Sequence, residues 1–307
     1  MGIYILGMHR SGTSAYARTV GRMVGFEESE AEVKRTNARG QWENVPLRHA
    51  NDRLLKMAGS DWSTPADDLE EVLAAATGDR ERAERLRQVH RRLGPEPWVW
   101  KDPRNCLTLP AWLAIDPQPA HFTVTVRHPL EVARSLQSRN GFPLLFGAAL
   151  WERYNRSLIR SLDGRRALFI SFNTLLSHPA RTIAKTRDWL DRAGYRIVEE
   201  DPSDQVDGQL RHSAESDDPD ELAAAGLTTA QIDLYRALLT LDGNEHAVDA
   251  GEVLSYDESQ TTSALLGTRR QMLSISMVIA SYKRRLRWAR YPGASARRAL
   301  RRIGARP

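Results

Sequence analysis

The 307-residue chain is poor in cysteine, holds no apolar stretch that opens it like an export signal, and lacks any His–carboxylate spacing of the HExxH type. Its single cysteine, Cys106, excludes an internal disulfide framework and a cysteine-only metal site. A small buried apolar role is expected for it. With no basic segment leading into an apolar core at the start, a cytoplasmic protein in a reducing compartment is expected. No metal is expected either. No internal repeat is found. From Arg269 to Pro307 there is no Asp or Glu, against 12 Lys and Arg. The net charge of +5 therefore belongs to this tail, because positions 1–268 carry 32 basic and 39 acidic residues, a balance of −7. An acidic body without a base-reading motif argues against nucleic acid as a partner.

What is present points to an α/β domain. Hydrophobic residues reach 41%, enough for a core in a chain of this length. Gly2–Leu6, Trp98–Lys101, His121–Val126 and Ala167–Ser171 read as short strands, the first as a buried parallel one. Helical patterns follow or separate them at 15–24, 130–138, 144–162 and 180–193, with a further helix at 228–241 and Thr228 or Thr229 near its N-cap. Two polar helices, 67–76 and 79–93, read as surface decoration. Residues 195–227 read as an irregular surface excursion. The alternation predicts a parallel sheet covered on both faces, a three-layer fold of the P-loop type. Ligands of such sheets sit at the carboxyl ends of the strands. Three of those ends carry Arg10, Lys101 and Arg127.

The loop Gly7-Met-His-Arg-Ser-Gly-Thr-Ser14 leaves the first strand and opens the first helix. Amide groups and a helix N-terminus at such a place favour an anion. A kinase-type loop needs lysine directly after its second glycine. Here Thr13 stands there, and the cation, Arg10, precedes Gly12. His9 is expected as a hydrogen-bonded, orienting residue rather than a catalytic one.

The segment His9-Arg-Ser-Gly-Thr-Ser14 resembles the 5′-phosphosulfate loop of sulfotransferases that use 3′-phosphoadenosine 5′-phosphosulfate (PAPS). Val126-Arg-His-Pro-Leu-Glu-Val-Ala-Arg-Ser135 resembles that family's 3′-phosphate segment, with Arg127 and Ser135 at the matching positions. Phe172–Pro179 is similar to the family's stretch after the late core strand, which extends the resemblance over residues 2–194. The resemblance implies PAPS as co-substrate, adenosine 3′,5′-bisphosphate as product, and donor contacts at Arg10, Ser11, Gly12, Thr13, Ser14, Arg127 and Ser135. An arginine fork and a hydroxyl can clamp a 3′-phosphate from two sides.

Sulfuryl transfer needs an in-line nucleophilic oxygen, a base for its proton, and cations where charge collects. Arg10 is expected at the bridging oxygen or the 5′-phosphate. Lys101, in Trp100-Lys-Asp-Pro103, resembles the K-D-P segment of tyrosylprotein sulfotransferases and their bacterial relatives, which implies a role at the sulfuryl or leaving group; the alternative is an ion pair with Asp102 or another neighbour. Arg104 is a further candidate. Gly40-Gln-Trp-Glu-Asn44 is similar to a Gly-x-Trp/Phe-Glu segment of bacterial sulfotransferases and implies Glu43 as acceptor base. Beside Trp42 its pKa is expected to be raised. A capping role on the following helix is the alternative, and His49, Asp52 and His212 are rival bases.

The resemblance further implies an acceptor hydroxyl on a glycan, glycolipid or other cell-surface saccharide, with a secondary metabolite as the other option. A nucleotide-dependent kinase and a non-catalytic nucleotide-binding scaffold remain competing readings. From Met272 the apolar residues recur every three or four positions in a basic amphipathic helix, so residues 269–307 are expected as a tail. It suits an anionic membrane surface at the inner face of the membrane, or a contact with the body or another subunit.

Overall fold

The computed structural model describes residues 1–27, 42–116, 120–199, 201–203, 206, 216–273 and 275. The chain divides into two compact units, Met1–Leu266 and Gly267–Pro307. The expected basic helix of the tail lies, from residue 276 onward, outside the described residues.

Unit one is built on a five-stranded sheet of order β2-β1-β3-β4-β5. Its strands are β1 (Gly2–Leu6), β2 (Trp98–Lys101), β3 (Ala120–Val126), β4 (Arg166–Ser171) and β5 (Glu245–Ala247). The first four pair in parallel, with Ile5 opposite Lys101 and Leu6 opposite Val124. These four form the expected parallel sheet, and β5 adds an antiparallel strand beside β4 at one edge. Three residues with no apolar run leave no strand signal, and a short polar edge strand suits a sheet margin.

The strands alternate their side chains between two cores. Ile3 and Ile5 pack with Tyr16, Val20, Ile183 and Leu190 on one face. Tyr4 and Leu6 pack with Trp100, Trp112, Phe122 and Trp151 on the other. Trp100, Trp112 and Trp151 are fully buried. Each removes roughly 150–250 Å² from water, about 4–6 kcal/mol before chain entropy is counted. Helices therefore cover both faces, and the layers number three.

The helices are α1 (Thr13–Val24), α2 (Val45–Met57), α3 (Leu69–Gly78), α4 (Arg80–His90), α5 (Asn105–Ile115), α6 (Pro129–Asn140), α7 (Leu144–Ser161), α8 (Phe172–Ser177), α9 (Pro179–Arg192), α10 (Pro219–Ala224), α11 (Thr229–Thr240) and α12 (Ala250–Val253). Helix α3 is more than decoration, since Leu73 and Ala76 enter the core, as does Ala83 of α4. Helix α5 is largely apolar and mostly buried, its polar Asn105 and Thr108 included. Cys106 lies within it, fully buried, and desolvation pushes its thiol up to about 12, so it is an inert packing residue. Thr228 caps α11 through a complete capping box with Gln231.

A buried charge pair on α7 fixes the last part of the unit. Glu152, fully buried, accepts from Arg156 Nε at 2.9 Å, from Ser259 N and Oγ at 2.9 Å each, and from Thr262 Oγ1 at 2.7 Å. Arg156 in turn donates to the carbonyls of Tyr256 at 2.6 Å and Asp257 at 2.9 Å. Every charge here is satisfied, which is the condition under which a buried pair is tolerated.

Candidate active site

At the carboxyl end of β1 the backbone turns through Gly7–Gly12 before α1 begins. Gly7 has φ +142° and a Cβ there would lie 2.4 Å from Thr125 Oγ1; Gly12 has φ +82° and its Cβ would lie 2.1 Å from the Phe172 ring. Only glycine fits either place. Ser11 N donates to the Met8 carbonyl at 3.2 Å and closes the turn. Arg10 itself sits at φ +72°, and among the described residues Trp42 is the other non-glycine residue at positive φ. Such strain costs about 1–3 kcal/mol per residue and collects at functional loops. Helix α1 has Gly12 as N-cap, with no side-chain cap and no acidic residue in its first turn. Its amide end and dipole thus carry no built-in counter-charge, which suits an external anion.

The second motif reaches the same place. Arg10 Nε donates to Ser135 Oγ at 2.7 Å, and Arg127 Nη1 donates to the Arg10 carbonyl at 2.9 Å. Arg127 is held from three further directions. Its Nε donates to Glu131 Oε2 at 2.7 Å, one helical turn on; its guanidinium lies 4.4 Å from the centre of the Phe172 ring; and Trp151 Nε1 donates to its carbonyl at 2.9 Å. Burial lowers the pKa of Arg10, and the nearby Arg139 and Arg127 cations lower it further. A group of arginines that repel one another is the setting a polyanion relieves. Arg139 stands one turn beyond Ser135 on α6, so it follows on the same helical face.

Lys101, at the end of β2, has its Nζ 2.9 Å from Glu43 Oε1, and both side chains are almost wholly buried. Lys101 is ion-paired, as the alternative for it allowed, and the partner is its neighbour Glu43 and not Asp102. Glu43 is positioned from both sides. Trp42 lies over Gly21 of α1, where a Cβ would meet its ring at 2.5 Å, and packs edge-on against Phe26. Asn44 accepts from Leu47 N at 3.2 Å and caps α2, so the cap is Asn44 and not Glu43.

The expected raised pKa of Glu43 is corrected. Burial pushes its carboxyl up, but Lys101, Arg104 and Arg48 together pull it below the ordinary glutamate value. It is an ionised carboxylate at neutral pH. Arg104 bridges the cluster, with Nε 2.6 Å from Asp52 Oδ1 and Nη1 3.1 Å from Asp102 Oδ1 and 3.8 Å from Glu43 Oε2. Burial alone would lower the Arg104 pKa, but Asp102, Asp52 and Glu43 outweigh it and raise it. Asp102 is raised, burial being the main cause.

One residue absent from the sequence reading organises this cluster. Asn51, fully buried on α2, donates to Asp102 Oδ2 at 2.9 Å and to Asn105 Oδ1 at 2.8 Å. It accepts from Trp112 Nε1 at 2.7 Å and Thr108 Oγ1 at 2.8 Å. A lone Asn inside an amphipathic helix carries no motif; its position on the apolar side of α2 was the available signal.

His9 differs from its expectation. Its Nε2 is enclosed without a hydrogen-bond partner, while the ring stacks 4.8 Å from Trp62 and 5.7 Å from Tyr154. Desolvation, then Arg104, Lys101, Arg139 and Arg10, hold its pKa well below the usual histidine value. It is a neutral imidazole. Of the rival bases, Asp52 is engaged by Arg104, His49 is exposed on α2, and His212 lies outside the described residues. Among the described residues no group of three His, Cys, Asp or Glu is placed to hold a metal ion.

The sequence profile of the sulfotransferase family matches residues 2–195. Among solved structures the chain is similar to the sulfotransferase domain from the Synechococcus PCC 7002 olefin synthase, at 17% identity over 87% of this chain and 94% of that one, with a TM-score of 0.41. It is also similar to the sulfotransferase domain from the curacin biosynthetic pathway, at 16% identity over 87% and 96% of the two chains, with the same TM-score of 0.41. No curated protein matches it.

Proposed function

The chain belongs to the sulfotransferase family, and from that premise we propose that it moves the sulfuryl group of PAPS in line to a saccharide hydroxyl on a glycan or glycolipid. The observation that supports the donor reading is the 2.7 Å contact of Arg10 with Ser135, which brings the loop and the candidate 3′-phosphate segment side by side.

Bound PAPS supplies an activated sulfuryl group on a phosphate leaving group. The amides of Gly12, Thr13 and Ser14 at the start of α1 and the Ser11 hydroxyl, with Arg10, hold the 5′-phosphosulfate. Arg127 and Ser135 hold the 3′-phosphate, Ser135 with its oxygen already accepting from Arg10 and its proton therefore turned to the ligand. Lys101 stabilises the charge that grows on the bridging oxygen as its bond to sulfur breaks. Glu43 accepts the proton of the acceptor hydroxyl. A carboxylate with a lowered pKa is a weak base toward a free alcohol, but the hydroxyl proton becomes acidic as the new O–S bond forms, so transfer to Glu43 comes late. The products are the sulfate ester and adenosine 3′,5′-bisphosphate. Thr13 in place of the kinase lysine, and a grip for a phosphate that ATP lacks, disfavour a kinase.

The saccharide acceptor is supported by Trp62, half-buried beside His9 and stacked on Phe142 at 5.8 Å, an aromatic platform of the kind sugar rings lie on. Among the described residues no helix is long and apolar enough to cross a membrane. We assign the enzyme to the cytoplasm, with the basic tail against the anionic inner face of the membrane.

Calorimetric titration with adenosine 3′,5′-bisphosphate and with ADP tests the donor reading: the bisphosphate binds at least tenfold tighter, and a preference for ADP overturns it. Incubation with labelled PAPS and glycolipid, glycan or small-metabolite extracts tests the acceptor class.

A further inference from the structure

On the opposite flank of α2 from Asn51 and Asp52 lies a cavity of about 480 Å³ between α2, α3 and α4. That volume is within the range of small-molecule sites. Its walls are two matching helical stripes. Ala50, Leu54 and Met57 come from α2, and Leu86 and Val89 from α4, at the spacing that puts residues on one helical face. The small Ala50 and Ala76 leave the space open where larger residues would close it.

The charged side chains that line it have one sign. Arg53 and Lys56 of α2 and Arg82 and Arg85 of α4 line the cavity, and among the described residues no acidic one does. Arg85 pairs with Glu81, whereas Arg53, Lys56 and Arg82 have no acidic partner among the described residues. Met57 is 43% exposed, a thioether turned to solvent at the mouth. An apolar trough rimmed by several unpaired cations is complementary to one chemistry, an apolar chain that ends in an anion.

We propose that this cavity is a binding site for a single anionic amphiphile, its acyl or alkyl chain between the α2 and α4 stripes and its phosphate, sulfate or carboxylate head among Arg53, Lys56 and Arg82. The site uses no residue assigned to donor binding or chemistry, and the inference does not depend on the sulfotransfer reading.

The full-length protein is titrated with monomeric dodecyl phosphate below its micelle concentration, by calorimetry and by methyl NMR of methionine, the Met57 signal being identified with Met57→Leu. One equivalent binds saturably and shifts the Met57 methyl; dodecanol and inorganic phosphate bind at least tenfold more weakly. Val89→Trp, which fills the trough, and the combined Arg53→Glu, Arg82→Glu change each weaken dodecyl phosphate at least tenfold, while affinity for adenosine 3′,5′-bisphosphate stays within twofold. If Val89→Trp loses bisphosphate binding or its cooperative melt, the charge variant and the Met57 shift decide. An unshifted Met57 methyl, equal binding of dodecanol, unchanged affinity in the charge variant, or binding only to phosphatidylglycerol vesicles overturns the site.

Discussion

The Arg10 guanidinium donates through Nε to the Ser135 hydroxyl at 2.7 Å, although 125 positions of sequence separate them. The contact ties the loop after β1 to the helix after β3, two adjacent parallel strands. An arginine donor on the serine oxygen leaves the hydroxyl hydrogen as the group offered to a ligand.

Ser135→Ala therefore weakens adenosine 3′,5′-bisphosphate binding roughly tenfold to a hundredfold, the worth of one hydrogen bond to a charged group at about 1.5–3 kcal/mol. Ser135 is only half-buried, so the melting temperature stays nearly unchanged. Titration calorimetry and a thermal melt on the same sample separate the two effects.

Glu43→Gln keeps the volume and removes the proton acceptor. Turnover falls by about 10²–10⁴-fold, as loss of a general base does, with bisphosphate affinity within a few-fold of the parent. Arg104→Gln tests the electrostatics of the same carboxylate. Arg104 helps hold the Glu43 pKa down, so its removal moves the acidic limb of the kcat/KM profile to higher pH. A limb that stays put, or moves lower, removes Glu43 from the titration.

A methyl at position 12 has nowhere to go. Gly12→Ala combines φ +82° with a Cβ 2.1 Å from the Phe172 ring, and costs about 2–4 kcal/mol of stability. Because Phe172 also carries the Arg127 guanidinium, donor binding is lost as well. The urea midpoint and a bisphosphate titration measure each.

His9 supplies a pH dependence. Its pKa in the folded protein is depressed well below 6.5, the ordinary value it regains on unfolding. Above 6.5 both states are neutral and the residue contributes no slope. Below 6.5 the unfolded chain takes up a proton that the folded one does not, so stability falls as pH falls. His9→Phe flattens the loss in urea midpoint between pH 7 and pH 5.5. An identical slope in the variant assigns the loss to other groups, among them His90 and His121, which are also depressed.

The sequence made the phosphate loop and the sheet strands visible because glycine positions, β-branched runs and strand-to-helix alternation are local signals. Lys101 and Arg127 were found at strand ends for the same reason. The meeting of Lys101 with Glu43 was not legible, since an ion pair across 58 positions depends on how β2 and the start of α2 pack. That packing reversed the expected pKa of Glu43: the tryptophan neighbour suggested desolvation, and the cations that outweigh it come from β2 and its following turn. Helix α5 left no helical signal because its apolar residues form no periodic stripe and Pro110 reads as a break. For Asn51 the apolar side of α2 was the one local signal, because its partners lie in the turn after β2 and on α5.

The Glu152–Arg156 pair has a consequence for how the chain is handled. By gripping Tyr256 to Thr262 from inside α7, it pins the polypeptide well before Leu266, the last buried aliphatic anchor of unit one. Trimming back to about residue 272 leaves the clasp whole, whereas trimming past Tyr256 leaves the buried Glu152–Arg156 pair without the partners at Tyr256, Asp257, Ser259 and Thr262.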